Sequence, residues 1–126
     1  MIHLDTSYLI RALVPASAED DKLRSWLRRG ESFGASTMVW GEFLCGPVDD
    51  AGEALAQRLV RTLIPVGTEE AREAARLFNA SGRRRGSFQD CVVAATAIVA
   101  EVPLATANTE DFRRFLALGL RFPDGE

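Results

Sequence analysis

Asp5 follows the apolar triplet Ile2-His3-Leu4 directly and precedes Thr6-Ser7, so its carboxylate stands where a strand gives way to a turn. Three more acids sit at comparable boundaries. Glu42 lies in Val39-Trp40-Gly41-Glu42-Phe43, Asp90 comes three residues after Ser87, and Asp111 comes three after Asn108. Ligands of an open parallel sheet bind beyond the carboxyl ends of its strands, and all four acids fall where such an edge would gather them. Carboxylates brought together repel, so some take up protons unless a cation neutralises them. A set made only of oxygens suits Mg²⁺ or Mn²⁺, hard ions that accept one or two protein carboxylates and keep several waters. One His and two Cys, far apart, offer no zinc spacing. Each acid also has an ordinary reading. Ser87-Phe88-Gln89-Asp90 and Asn108-Thr109-Glu110-Asp111 both have the spacing of a capping box, and Glu42 alone suits a solvated helix position. Asp5 fits an ordinary role least, because a strand end faces the cleft.

The elements that must position these acids alternate short apolar stretches with longer helical patterns, which predicts a parallel sheet covered by helices. Strands are expected at Ile2-His3-Leu4, Phe33-Gly34-Ala35-Ser36, Leu63-Ile64-Pro65-Val66 and Leu104-Ala105-Thr106. The third reads as an edge because it holds a proline, and Leu120 to Phe122 offers a fifth, also at an edge. Helices are expected from Thr6 to about Val14, with Thr6 as cap, and from Glu19 to Arg29, Thr37 to Cys45 and Asp50 to Arg61. Further helices run from Thr68, as cap, to Ala80, from Ser87 to Glu101, and from Thr109 through Leu118. The helix opened by Ser87 is almost wholly apolar, as in a helix buried on most sides. Ser81 to Gly86 forms the main loop.

The 126 residues, 47% hydrophobic and 26% charged, suit one globular domain spanning 1–126. The longest apolar run, Cys91 to Ala100, is too short to span a bilayer, and Met1-Ile2-His3-Leu4-Asp5 lacks the basic start of a signal peptide. These features point to a cytoplasmic protein with no membrane partner. Cys45 and Cys91, each with apolar neighbours, read as buried thiols of a reducing compartment. The net charge of −3 gives no global pull toward nucleic acid, yet Lys22 is the only lysine among 15 basic residues. Arginine pairs with phosphate through a planar fork, although a GC-rich, Ala-rich composition produces the same bias.

Taken together the motifs resemble PIN-domain ribonucleases, and in particular VapC toxins of bacterial type II toxin–antitoxin pairs. The resemblance is carried by Met1-Ile2-His3-Leu4-Asp5-Thr6-Ser7, by Glu42 in its apolar setting, by Asp90-Cys91-Val92-Val93-Ala94-Ala95-Thr96-Ala97, and by Thr106-Ala107-Asn108-Thr109-Glu110-Asp111-Phe112. It implies an α/β fold with a short central parallel sheet of four to five strands between helical layers. It also implies a Mg²⁺-dependent endoribonuclease (Mn²⁺ is the alternative ion), with Asp5, Glu42, Asp90 and Asp111 as its acidic quartet. Asp5 and Asp90 would hold a first ion, while Glu42 and Asp111 would hold a second or orient the attacking water. Two ions about 4 Å apart activate water, neutralise the phosphate and steady the leaving oxygen. Many relatives carry Asp where this chain has Asn108, so the fourth role falls to Asn108 or to Asp111. Thr6 and Thr106 are expected to orient the carboxylates by hydrogen bonds. The partners implied are an RNA substrate, a VapB-type antitoxin laid in an apolar groove, and a second copy of the chain.

Weaker candidates surround these. Arg83-Arg84-Arg85 would grip RNA phosphates beside Asp90, or form a solvated turn. Arg113 and Arg114 face substrate or an exposed helix face. His3, Trp26 and Trp40 read as packing residues. A PIN nuclease of RNA processing outside a toxin–antitoxin pair is the nearest alternative. A haloacid-dehalogenase-like phosphotransferase needs a second Asp where Ser7 stands and a late lysine, and a receiver-type signalling module needs an acid after its middle strand. Both patterns are missing.

Overall fold

The computed structural model describes residues 1–85 and 87–125. Ile2–Leu4 (β1) is buried along its whole length, as a central parallel strand covered on both faces must be. On one side it pairs in parallel with Phe33–Ser36 (β2), Ile2 facing Phe33 and His3 facing Gly34. On the other it pairs in parallel with Leu104–Ala105 (β4), His3 facing Leu104 and Leu4 facing Ala105. Val60–Ile64 (β3) joins β2, giving the order β3-β2-β1-β4. The chain therefore steps outward from β1 to β3 and returns across β1 to β4. That reversal opens a crevice beyond the carboxyl ends of β1 and β4. Gly34 allows the close packing of β1 on β2: a Cβ there would meet Thr62 O at 3.0 Å and His3 Cδ2 at 3.1 Å.

Helices enter from the strand ends with almost no loop. Thr6–Ala12 (α1) begins where β1 stops, and its cap is Asp5 rather than Thr6, because the Asp5 carboxylate accepts the Thr6 N–H. Ala18–Arg28 (α2) is capped by Ser17, and Thr37–Cys45 (α3) by Ser36, whose hydroxyl accepts the Val39 N–H at 3.1 Å. Asp50–Leu59 (α4) is capped by Asp49. Thr68–Ala80 (α5) starts from Gly67, whose N–H is taken by Glu70 Oε1, so Thr68 is its first residue and not its cap. Phe88–Val99 (α6) packs on α5 and buries every residue from Cys91 to Ala97, as its apolar sequence required. Thr109–Phe112 (α7) is one α-turn, continued by a tighter 3₁₀ helix over Arg113–Leu118 instead of an α-helix to Leu118.

Four further expectations need correction. The third strand is Val60–Ile64, not Leu63 to Val66, and it starts directly from α4. β-Branched Val60 and Thr62 face Phe33 and Gly34, with Arg61 absorbed as a bulge between them. Pro65, which lacks an N–H, falls just beyond the pairing. Leu120 to Phe122 is not a strand: Leu104 donates one backbone bond to Arg121 O at 2.9 Å, and Pro123 then turns the chain away. Cys45 is exposed at the end of α3, whereas Cys91 is buried as expected. Arg114 is largely covered, with only 15% of its side chain exposed, while Arg113 lies open beside Glu110. The 3₁₀ step after Phe112 changes the angle between successive side chains, so a reading of this segment as one α-helix misplaces them.

His3 is enclosed in the sheet, and its Nε2 finds no hydrogen bond among the described residues. Burial, with a smaller push from the N-terminal charge, lowers its pKa to about 4. Trp26 is buried against Tyr8 and Phe33, and Trp40 stacks on Phe43, so both serve packing. At the far end of the chain Asp124, in a left-handed conformation, accepts a bond from Trp26 Nε1 at 3.0 Å and pairs with Lys22 at 3.1 Å and Arg29 at 3.4 Å.

Candidate active site

The edge beyond β1 and β4 is built around Asp5. Its Oδ1 accepts the Thr6 N–H at 2.7 Å, and its Oδ2 accepts the hydroxyls of Ser7 at 3.0 Å and Thr106 at 2.8 Å. Both hydroxyls are also acceptors: Ser7 Oγ takes the Ala107 N–H at 3.2 Å and Thr106 Oγ1 takes the Asn108 N–H at 3.0 Å. The exits of β1 and β4 are thereby stitched into one unit with the Asp5 carboxylate at its centre. Thr6 Oγ1 donates to Glu42 Oε1 at 3.0 Å, which ties α3 to the same junction. An ionised carboxylate offers about four lone-pair sites, so the three donors on Asp5 leave room for a cation.

Asp90 stands in the first turn of α6, but the capping box predicted there does not form. Ser87 spends its hydroxyl on Arg84 O at 2.6 Å and makes no cap bond. Asn108 makes no side-chain cap bond ahead of Asp111 either, so neither acid is occupied as its ordinary reading required. The Asp90 carboxyl is held above the usual carboxylate range. Burial is the largest cause, the Arg114 guanidinium opposes it, and the charges of Asp5, Asp111 and Glu42 add to it. All four predicted acids therefore act on one neighbourhood at the carboxyl edge of the sheet. Asp111, though exposed, reaches Asp90 through its charge; Asn108 is neutral and exposed.

The donor chemistry fits a hard divalent ion: the side chains tied together at this edge offer carboxylate and hydroxyl oxygens. Among the described residues, no three His, Cys, Asp or Glu side chains stand close enough to form a metal cage as they are. The edge thus supplies the oxygens in one neighbourhood and not a closed coordination shell. The cation that pairs with this edge among the described residues is the one that sequence reasoning left undecided. Arg114 Nη2 lies 3.8 Å from Asp90 Oδ2, its Nη1 donates to the Asp111 carbonyl, and its guanidinium covers the Phe115 ring at 4.4 Å. The available signal was the spacing Asp111-Phe112-Arg113-Arg114-Phe115, in which aromatic residues that must be buried bracket an arginine three residues from an acid.

Arg83, Arg84 and Arg85 are exposed on the turn leading into α6. Arg83, at φ 54°, is braced by Asn79 Oδ1 at 3.0 Å. Gly86, the end of the predicted Ser81 to Gly86 loop, lies outside the described residues. A cleft of about 260 Å³ runs from Thr106 and Thr109 past Tyr8 to Lys22 and Trp26, and none of the four acids lines it. Among the described residues no helix is long and apolar enough to cross a membrane.

Comparison with known proteins agrees with this geometry. The PIN domain family profile matches residues 2–116. A toxin–antitoxin complex from Klebsiella pneumoniae superposes with a TM-score of 0.71 at 21% identity, over 89% of this chain and 90% of that one. VapBC2 from Rickettsia felis, bound to a DNA fragment from its promoter, gives 0.70 at 18% identity, over 90% and 92%. VapC20 of Mycobacterium tuberculosis, a toxin that cleaves the sarcin–ricin loop, gives 0.65 at 18% identity, over 95% and 96%. No curated protein matches the sequence.

Proposed function

The chain belongs to the PIN domain family, and from that premise we propose that it is a Mg²⁺-dependent endoribonuclease, the toxin of a VapBC-type type II toxin–antitoxin pair. One observation carries the reading: Thr106, at the exit of β4, holds the Asp5 carboxylate, and Thr6 beside Asp5 holds Glu42, so that acids from distant parts of the sequence meet at the sheet edge. The solved structures of similar fold, two of them toxins with antitoxins and one an RNA-cleaving toxin, support the choice of substrate and partner.

Asp5 and Asp90 would hold the first ion, and Glu42 and Asp111 would hold a second or orient water. When bound, Mg²⁺ or Mn²⁺ lowers the pKa of a coordinated water and offsets the charge of the scissile phosphate. The chain's own groups do the rest. Thr106 and Ser7 fix Asp5 Oδ2, and Thr6 fixes Glu42, so two of the acids keep their orientation before substrate arrives. Ligand carboxylates held by such neighbours lose 10–100-fold in metal affinity or activity when the neighbours are removed, as an order of magnitude. Arg83, Arg84 and Arg85 would meet RNA phosphates at the entry to α6, which supplies locally the positive charge that a net −3 lacks. The same reading places the protein in the cytoplasm, as a homodimer held inactive by a VapB-type antitoxin.

Purified protein incubated with single-stranded or looped RNA tests this. Cleavage is expected with Mg²⁺, none with chelator, and a loss of about 100-fold or more in Asp5→Asn. Metal-independent cleavage, or full activity in Asp5→Asn, would falsify the assignment. Co-purification with a small neighbouring gene product tests the pairing. A stable protein that is harmless when expressed alone places the nuclease in RNA processing instead.

A further inference from the structure

Arg114 is a costly residue to place where it is. Its Nε and Nη2 are sealed from solvent and find no hydrogen bond among the described residues. Covered N–H groups of a cation are expensive to leave without acceptors. Of its neighbours, the Phe115 ring offers a cation–π face, the Asp111 carbonyl takes one N–H, and the Cys91 thiol, kept neutral by burial, lies alongside. Among the described residues, the one ionised group within reach is Asp90, at 3.8 Å, which is ion-pair range without a hydrogen bond. Arg114 thus holds N–H groups unspent beside one member of the acid quartet.

We propose that Arg114 is the resident counter-cation of the acid edge, a positioning residue that pairs with Asp90 while no metal is bound and yields that carboxylate when a divalent ion enters. The proposal rests on Asp90 being a metal ligand, as read above. Two consequences follow. Without metal, Arg114 relieves repulsion among Asp5, Glu42, Asp90 and Asp111, so its loss exposes that repulsion. With metal, its charge competes with the incoming ion and weakens binding. Resting affinity and metal-free stability therefore trade against each other through one side chain.

Both consequences are measurable without RNA. Arg114→Met preserves the packing over Phe115 and removes the charge; Arg114→Lys keeps a charge and serves as the control. In chelator, Arg114→Met is expected to melt several degrees below wild type, and Asp90→Asn in the same chain is expected to recover part of that loss. Additive effects of the two substitutions overturn the pairing. In Mn²⁺ titrations followed by electron paramagnetic resonance, Arg114→Met is expected to bind about tenfold more tightly than wild type, with Arg114→Lys close to wild type. Unchanged or weaker Mn²⁺ binding by Arg114→Met overturns the competition. Failure of the wild-type protein to bind Mn²⁺ counts against the metal-centre reading instead, and the metal-free melts still decide whether Arg114 pairs with Asp90.

Discussion

Asp90 and Asp124 are both acids beside an arginine, and their surroundings drive them in opposite directions. Asp124 gathers the Trp26 N–H, Lys22 and Arg29, and these donors hold its carboxyl below the usual range, the Trp26 bond first. Asp90 has one guanidinium at a distance and three acids around it, and burial together with those acids holds its carboxyl above the usual range. The first corner is electrostatically complete: it fastens the end of the chain to α2 and asks for nothing more. The second is deficient in positive charge. One acid is saturated with donors, while the other has an arginine 3.8 Å away, and that is the difference between the two places.

The largest effect that sharpens this contrast is expected from Asp90→Asn. RNA cleavage falls by about 100-fold or more, while the melting temperature in chelator stays level or rises, because an amide removes an unfavourable charge; a large fall in melting temperature would make Asp90 a structural acid like Asp124. Next comes Thr106→Val, which removes the hydroxyl between Asp5 Oδ2 and the Asn108 N–H. Activity is expected to drop by about tenfold at unchanged RNA sequence preference, measured by the rate of cleavage of one defined RNA.

His3 sets the pH range in which the contrast is best read. Its folded pKa of about 4 lies below the unfolded value of 6.5, so the unfolded chain binds more protons between the two. The contribution is complete above pH 6.5 and is lost as the pH falls toward 4, by about 3 kcal/mol in all. Denaturant melts at pH 7 and pH 5 should show the loss, and His3→Gln should flatten it; an unchanged slope in that variant assigns the acid sensitivity elsewhere. The smallest effect belongs to Asp124→Asn, a drop of a few degrees in melting temperature with cleavage unchanged. Lost cleavage there would join the two regions and break the comparison.

Much of this arrangement was legible in the residues. Apolar triplets bounded by turn signals located β1, β2 and β4, and an acid after a strand end pointed to the crevice, because ladder pairing leaves those ends facing it. What escaped was set by contacts rather than by local pattern. Asp5 both caps α1 and faces the crevice, a double use that its neighbours in sequence do not reveal. β3 begins at Val60 because β2 offers Phe33 as its partner, a non-local choice that a helical run up to Arg61 conceals. The covering of Arg114 depends on a 3₁₀ step after Phe112 that no propensity announces. Cys45 looked buried from its apolar neighbours, yet only Phe43 turns inward there, and Leu44 is exposed like Cys45 itself.

The position of β1 between β2 and β4 carries a consequence for folding. The hydroxyl that grips Asp5 Oδ2 belongs to a residue 101 positions further along the chain. Contacts of such long separation must wait on the closure of a large loop, which makes them slow to form. The carboxylate and its clasp therefore come together with the sheet itself, and not with the local turn that follows β1.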